Sequence, residues 1–210
     1  VSVVLFADYD NDGYKDLFVS RTFKPNQLFH NNHDGTFTDV TKKSGIGEDC
    51  CTTVASLADY DNDGYLDLYV GRYLDPRLYI PTTFYARNGL QNQLYHNNGD
   101  GTFDQKTYES NLGLEENGMG LAVGFIGPEQ KLSMFVTSIR ANPGCDDEGE
   151  SLRSGNRLYV YDKDRKFADI TDAAGVRNSL WGWGATYLDS TNAGKRDIAS
   201  ASGMVISWNA

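Results

Sequence analysis

Apolar positions along this chain come in short bursts, not in long stripes. Runs such as LFV, LYV, QLF, QLY, RLYV and GTF are each bounded by clusters of Asp, Asn and Gly. That pattern predicts short strands closed by turns. NHDG and NGDG, each between two such runs, predict hairpin turns. No segment carries an apolar stripe of helical period over three turns.

The bursts also repeat. LFADYDNDGYKDLFVSR, Leu5 to Arg21, returns as SLADYDNDGYLDLYVGR, Ser56 to Arg72. Each is followed by a second matching block, NQLFHNNHDGTFTDVT from Asn26 and NQLYHNNGDGTFDQKT from Asn92. A worn third copy starts near Met119 and continues through NRLYVYDKDRKFADIT from Asn156. A worn fourth, GWGATYLDSTNAGKRDIASASG, starts near Trp181 and lacks its second block. Self-similarity at this scale marks a repeat architecture. Each complete unit reads as about four short strands in an antiparallel sheet. The fold class expected is therefore all-β, a β-propeller region with units at about 1–50, 51–115, 116–177 and an incomplete 178–210. Stretches 73–91 and 139–155 read as surface insertions, and the tyrosines of YLDPRLYIPTTFY in the first are interaction candidates.

Composition narrows the class. Glycine at 22 residues, tyrosine at 13 and phenylalanine at 10 favour β structure with many turns. A net charge of −10 disfavours nucleic acid, which needs a basic face, and favours cations or basic partners. No apolar run approaches the roughly 18 residues of a membrane-spanning helix. No signal segment and no Met opens the chain, so it is expected to start after processing or inside a longer polypeptide. Three cysteines, Cys50, Cys51 and Cys145, make no disulfide framework, and pairing of Cys50 or Cys51 with Cys145 is left open.

The chemistry sits in D-x-D-x-D-G-x-x-D, present as Asp8, Asp10, Asp12, Gly13, Asp16 and again as Asp59, Asp61, Asp63, Gly64, Asp67. Carboxylates this close repel by about 1 kcal/mol per pair even in water. A hard dication removes the conflict, and calcium with 6 to 8 oxygen ligands suits a flexible carboxylate loop better than magnesium. Alternate side chains can turn inward, and the carbonyl of residue seven, Tyr14 or Tyr65, supplies another oxygen. Position twelve is Val19 or Val70 in place of a Glu, and the flanks are strands, so this is not an EF-hand. The third copy has Phe125, Gly127, Glu129 and Ser133 at the Asp positions, and no metal is expected there. The fourth keeps Asp189 and Asp197 but has Thr191 and Ala193 between them, a weak third site at most.

These residues resemble the FG-GAP/VCBS repeat family, which includes the propeller of integrin α subunits. DYDNDGYxDL followed by NxLYxNNGDGTFxDVT is similar to its ASPIC-type, cartilage acidic protein-like branch. The resemblance implies an extracellular or cell-surface propeller of about seven blades with calcium in its loops. It carries the metal role onto Asp8, Asp10, Asp12, Tyr14 and Asp16, and onto Asp59, Asp61, Asp63, Tyr65 and Asp67. Only three and a half blades are present, so either more chain or further copies are expected to cover the open faces.

Catalytic candidates are few. His30 and His96 share one repeat position, which points to a strand-end structural role, and His33 reads as an exposed turn residue. No G-x-S-x-G, H-E-x-x-H or P-loop occurs. Trp181 and Trp183 favour packing between blades over a sugar platform. The function expected is a non-enzymatic, calcium-stabilised adhesion, interaction or assembly module with a protein or glycan ligand. Alternatives are a glycan-binding lectin, a calcium-dependent polysaccharide-active enzyme, and a subunit of an extracellular filament or surface layer.

Overall fold

The computed structural model describes residues 2–46, 50–75, 89–114, 117–139, 155–179 and 181–203. Its first sheet comprises β1 (Val4–Ala7), β2 (Asp16–Val19), β3 (Gln27–Asn31) and β4 (Phe37–Asp39). The second comprises β5 (Thr52–Ala58), β6 (Asp67–Arg72), β7 (Gln93–Asn97) and β8 (Phe103–Gln105). The third comprises β9 (Gly120–Ile126), β10 (Lys131–Thr137), β11 (Arg157–Tyr161) and β12 (Phe167–Asp169). A two-stranded sheet follows, β13 (Gly182–Leu188) with β14 (Asp197–Ser202). Every pairing is antiparallel, and within each sheet strands neighbour one another in sequence order. These are propeller-type blades, and the all-β expectation holds.

The sheets pack face to face in chain order, and the core lies between them. Tyr9, Phe18, Leu28 and Ile46 of the first unit meet Leu68, Val70, Tyr95 and Phe103 of the second. Tyr60, Tyr69, Leu94 and Leu112 meet Met134, Val136, Tyr159 and Phe167 of the third. Ala122, Phe135 and Leu158 pack with Ala185, Tyr187 and Ile198 of the fourth. The first strands line up as well, β5 beside β1, β9 beside β5 and β13 beside β9. Side chains alternate along a strand, so Leu68 and Val70 face one neighbouring sheet while Tyr69 faces the other. Two covered faces explain why β6 and β7 are buried along their whole length. Each large apolar side chain so buried contributes about 1.5–3 kcal/mol.

The repeated polar residues tie each unit together. Thr41, Thr107 and Thr171 each use a hydroxyl to accept the main-chain N–H of Leu28, Leu94 and Leu158, at 2.9, 3.0 and 2.8 Å. Buried Asn26, Asn92 and Asn156 accept the N–H of Arg21, Arg72 and Ser138 at 3.4, 2.7 and 3.1 Å. The unit tails add one element that the apolar pattern did not predict. A single helical turn, α1 (Thr41–Ser44), ends in Gly45 at φ 81°. The same i to i−4 bond recurs from Ser110 to Lys106 and from Ala174 to Ile170. One turn is too short to show helical periodicity, and a glycine at positive φ follows each of them, Gly45, Gly113 and Gly175.

Cys50 and Cys51 are placed as a bonded pair. The option of pairing either with Cys145 falls on a residue outside the described ones. Pro76, Pro81 and the tyrosines at 79 and 85 of the first insertion also lie outside them. Among the described residues no helix is long and apolar enough to cross a membrane.

Candidate metal centre

The aspartate loops join the first two strands of a sheet. Residues 8–16 link β1 to β2, residues 59–67 link β5 to β6, and residues 189–197 link β13 to β14. All three wind the same way. Their fourth residue is an asparagine in the left-handed region, Asn11 at 60°, Asn62 at 62° and Asn192 at 54°. Asparagine tolerates that conformation better than most residues. The first aspartate then folds back onto the loop. Asp8 accepts the N–H of Asp12 and Gly13 at 3.1 and 2.9 Å. Asp59 does the same for Asp63 and Gly64 at 3.1 and 2.9 Å. Asp189 does it for Ala193 and Gly194 at 2.9 and 2.6 Å.

The ninth residue clamps the loop to the sheet. Asp16 accepts the N–H of Tyr9 at 3.2 Å with one oxygen and of Asn31 at 2.9 Å with the other. Asp67 accepts Tyr60 at 3.1 Å and Asn97 at 2.8 Å. Both carboxylates are buried. Asp197 repeats half of this clamp by accepting the N–H of Ser190 at 3.1 Å.

With the loop so wound, the alternate carboxylates converge. Donor atoms of Asp8, Asp10 and Asp12 lie within 4.8 Å of one another, and so do those of Asp59, Asp61 and Asp63. Asp10 Oδ1 and both carboxylate oxygens of Asp61 are buried without a hydrogen bond. A buried carboxylate oxygen left unpaired is costly, and a bound dication removes that cost. The donor set is all oxygen at short spacing, which fits a hard cation. Tyr14 and Tyr65 complete each turn, their N–H groups donating to Asp12 and Asp63 at 2.8 and 3.0 Å. In the fourth loop, Thr191 and Ala193 leave the same winding without the converging pair. In the third unit, β9 turns into β10 directly through residues 127–130, closed by Gln130 N–H to Gly127 O at 3.2 Å.

Burial dominates the electrostatics. It pushes the Asp67 carboxyl up to about 6, raises Asp16, and raises Asp61 together with the charge of Asp63. Asp12 is instead lowered by the Tyr14 N–H and then by His33. The opposed directions have separate causes, burial for Asp67, Asp16 and Asp61 and hydrogen bonding for Asp12.

Four further residues join these loops that the spacing alone did not give. His30 Nδ1 lies 3.1 Å from Asp10 and 3.4 Å from Asp16. His96 Nδ1 lies 3.0 Å from Asp67 and 3.5 Å from Asp61. His33 Nε2 lies 2.5 Å from Asp12, with its ring stacked on Tyr14 at 3.8 Å. From the third sheet, Arg165 brings its Nε within 2.6 Å of Asp61, without the alignment of a hydrogen bond. The shared repeat position of His30 and His96, on the strand facing the loop, was a usable signal. Nothing in the sequence pointed to Arg165.

The two loops also touch. Asn11 donates its side-chain amide to the Gly64 carbonyl at 2.9 Å. The Asn97 amide donates to Tyr9 O at 2.8 Å and to Leu66 O at 3.0 Å. Elsewhere, Trp183 is 45% exposed, and its ring lies 6.1 Å from Tyr73 and 6.5 Å from Trp181.

Comparison with known proteins finds partial matches to this chain. Residues 8–70, from the first aspartate loop into the second sheet, match the FG-GAP-like repeat family. Cartilage acidic protein 1 of Homo sapiens is 34% identical over 74 residues, which is 34% of this chain and 11% of that protein. The Mus musculus protein of the same name is 32% identical over 74 residues, 34% of this chain and 12% of its own length. That of Xenopus tropicalis is 33% identical over 72 residues, 33% and 11%. The match thus spans a small fraction of these relatives' length.

Proposed function

We propose that this chain, related to FG-GAP-like repeat proteins through residues 8–70 and to cartilage acidic protein 1, is a calcium-stabilised extracellular propeller module that binds or assembles and does not catalyse. One observation carries the reading: buried oxygens of Asp10 and Asp61 without hydrogen bonds inside converging carboxylate loops. Asp8, Asp10 and Asp12 would hold one calcium ion, and Asp59, Asp61 and Asp63 a second. Asp16 and Asp67 would set the loop, and the carbonyls of Tyr14 and Tyr65 would complete the shell. The ion supplies positive charge that lets the loop close on itself; the chain supplies the winding. Calcium here is structural, and its binding adds to folding free energy.

A thermal melt in calcium and then in excess chelator tests this. At a hundred times the dissociation constant, each site adds about 2.7 kcal/mol, so the melting temperature rises clearly with calcium. An unchanged melt reduces the loops to acidic turns and overturns the reading.

The binding-or-assembly half has its own support. Val4, Phe6 and Phe37 are 48%, 61% and 41% exposed on the first sheet. In the next two units, the Phe37 position is Phe103 and Phe167, each buried against the preceding loop tyrosine at 5.8 Å. The first sheet presents the same kind of face exposed, a surface that a further sheet of this type fits, whether from more chain or from another copy. Sedimentation on the melt samples reads assembly directly. Larger species in calcium support assembly, and a monomer at all concentrations points to ligand binding.

A further inference from the structure

The first loop carries a nitrogen donor that the second lacks. His33 stands in the hairpin turn where the second unit has Gly99, and Gly99 leaves room there for the Tyr65 ring, which a methyl group would meet at 2.7 Å. His33 instead points its Nε2 at Asp12, 2.5 Å away. His30 comes from β3 on the other side. One donor atom each of Asp12, His30 and His33 lie within 4.8 Å of one another. His30 Nδ1 is buried and makes no hydrogen bond, although Asp10 and Asp16 lie beside it. Asp10 and His30 also border a cleft of about 350 Å³ that continues past Val40, Lys43 and Asp100.

Two imidazoles and a carboxylate are a poor set for calcium, which takes oxygen, and a good one for a first-row transition dication. We propose that Asp12, His30 and His33 form a binding site for a divalent transition cation of the zinc class at the rim of this cleft. The site builds on the cation-loop reading through Asp12, which the calcium set shares, so zinc and calcium compete at the first loop. The second loop, with one imidazole and no counterpart of His33, stays an oxygen site. The neutral imidazoles are the ligands.

His33→Gly tests it with little risk to the fold, because residue 33 sits at φ 66°, where glycine is at ease. The whole chain is titrated with zinc, and with cobalt as a spectroscopic probe. The unaltered chain is expected to bind one zinc ion at least tenfold more tightly than His33→Gly. Its cobalt complex should show nitrogen ligation that the variant loses. The second loop of the variant should still bind calcium. Equal zinc affinity in both proteins, or a cobalt spectrum of water and carboxylate alone, overturns the proposal. The two readings fail separately. Zinc binding that depends on His33 in a protein insensitive to calcium would sink the calcium reading only. A calcium response without discrimination between zinc binders would sink this one only.

Discussion

At the scale of the residue, Asp61 holds the clearest tension. Its side chain is 2% exposed, its oxygens lack hydrogen bonds, and Arg165 approaches from the neighbouring sheet. Removing one partner of a buried charge leaves the other uncompensated. Arg165 is half exposed, so solvent screens part of the effect. Arg165→Gln is therefore expected to lower the melting temperature in chelator by the equivalent of about 1–2 kcal/mol. In calcium the loss should shrink, because the ion takes over the neutralising role. A variant equally destabilised in both conditions would show that Arg165 acts through packing alone. The aspartates were legible in the sequence because their spacing is local. His30, His96 and Arg165 were not read as partners of the loops, because they arrive from other strands, and Arg165 from another sheet.

At the scale of the element, the strands were legible because each is an apolar burst between turn residues. Sequence alone did not reveal which face of each strand meets which neighbour, and that is where the energy lies. Phe37, Phe103 and Phe167 open equivalent strands, yet only the last two are buried. Phe103→Ala is expected to cost about 3–5 kcal/mol through the cavity it leaves beside Tyr9. Phe37→Ala should stay within about 0.5 kcal/mol, as surface changes do. Chemical denaturation of both variants checks this. Similar losses would mean that the face of the first sheet is covered in solution.

At the scale of the whole molecule, the repeat gave the order of the described sheets. Its spacing could not show how closely successive loops approach one another. The Asn11 amide on the Gly64 carbonyl, and the Asn97 amide shared between Tyr9 and Leu66, join the two loops by hydrogen bonds. An ion that fixes one loop would therefore lower the entropic cost of ordering the other. Calcium uptake should be cooperative, with a Hill coefficient above one, and coupling of this kind is reciprocal. Asn11→Ala should bring that coefficient towards one and leave two sites. A curve that stays steep in Asn11→Ala would place the coupling elsewhere. A cooperative pair fills over a narrower range of calcium than two separate sites, so the open face of the first sheet would firm up as a threshold response to the surrounding calcium, and not in proportion to it.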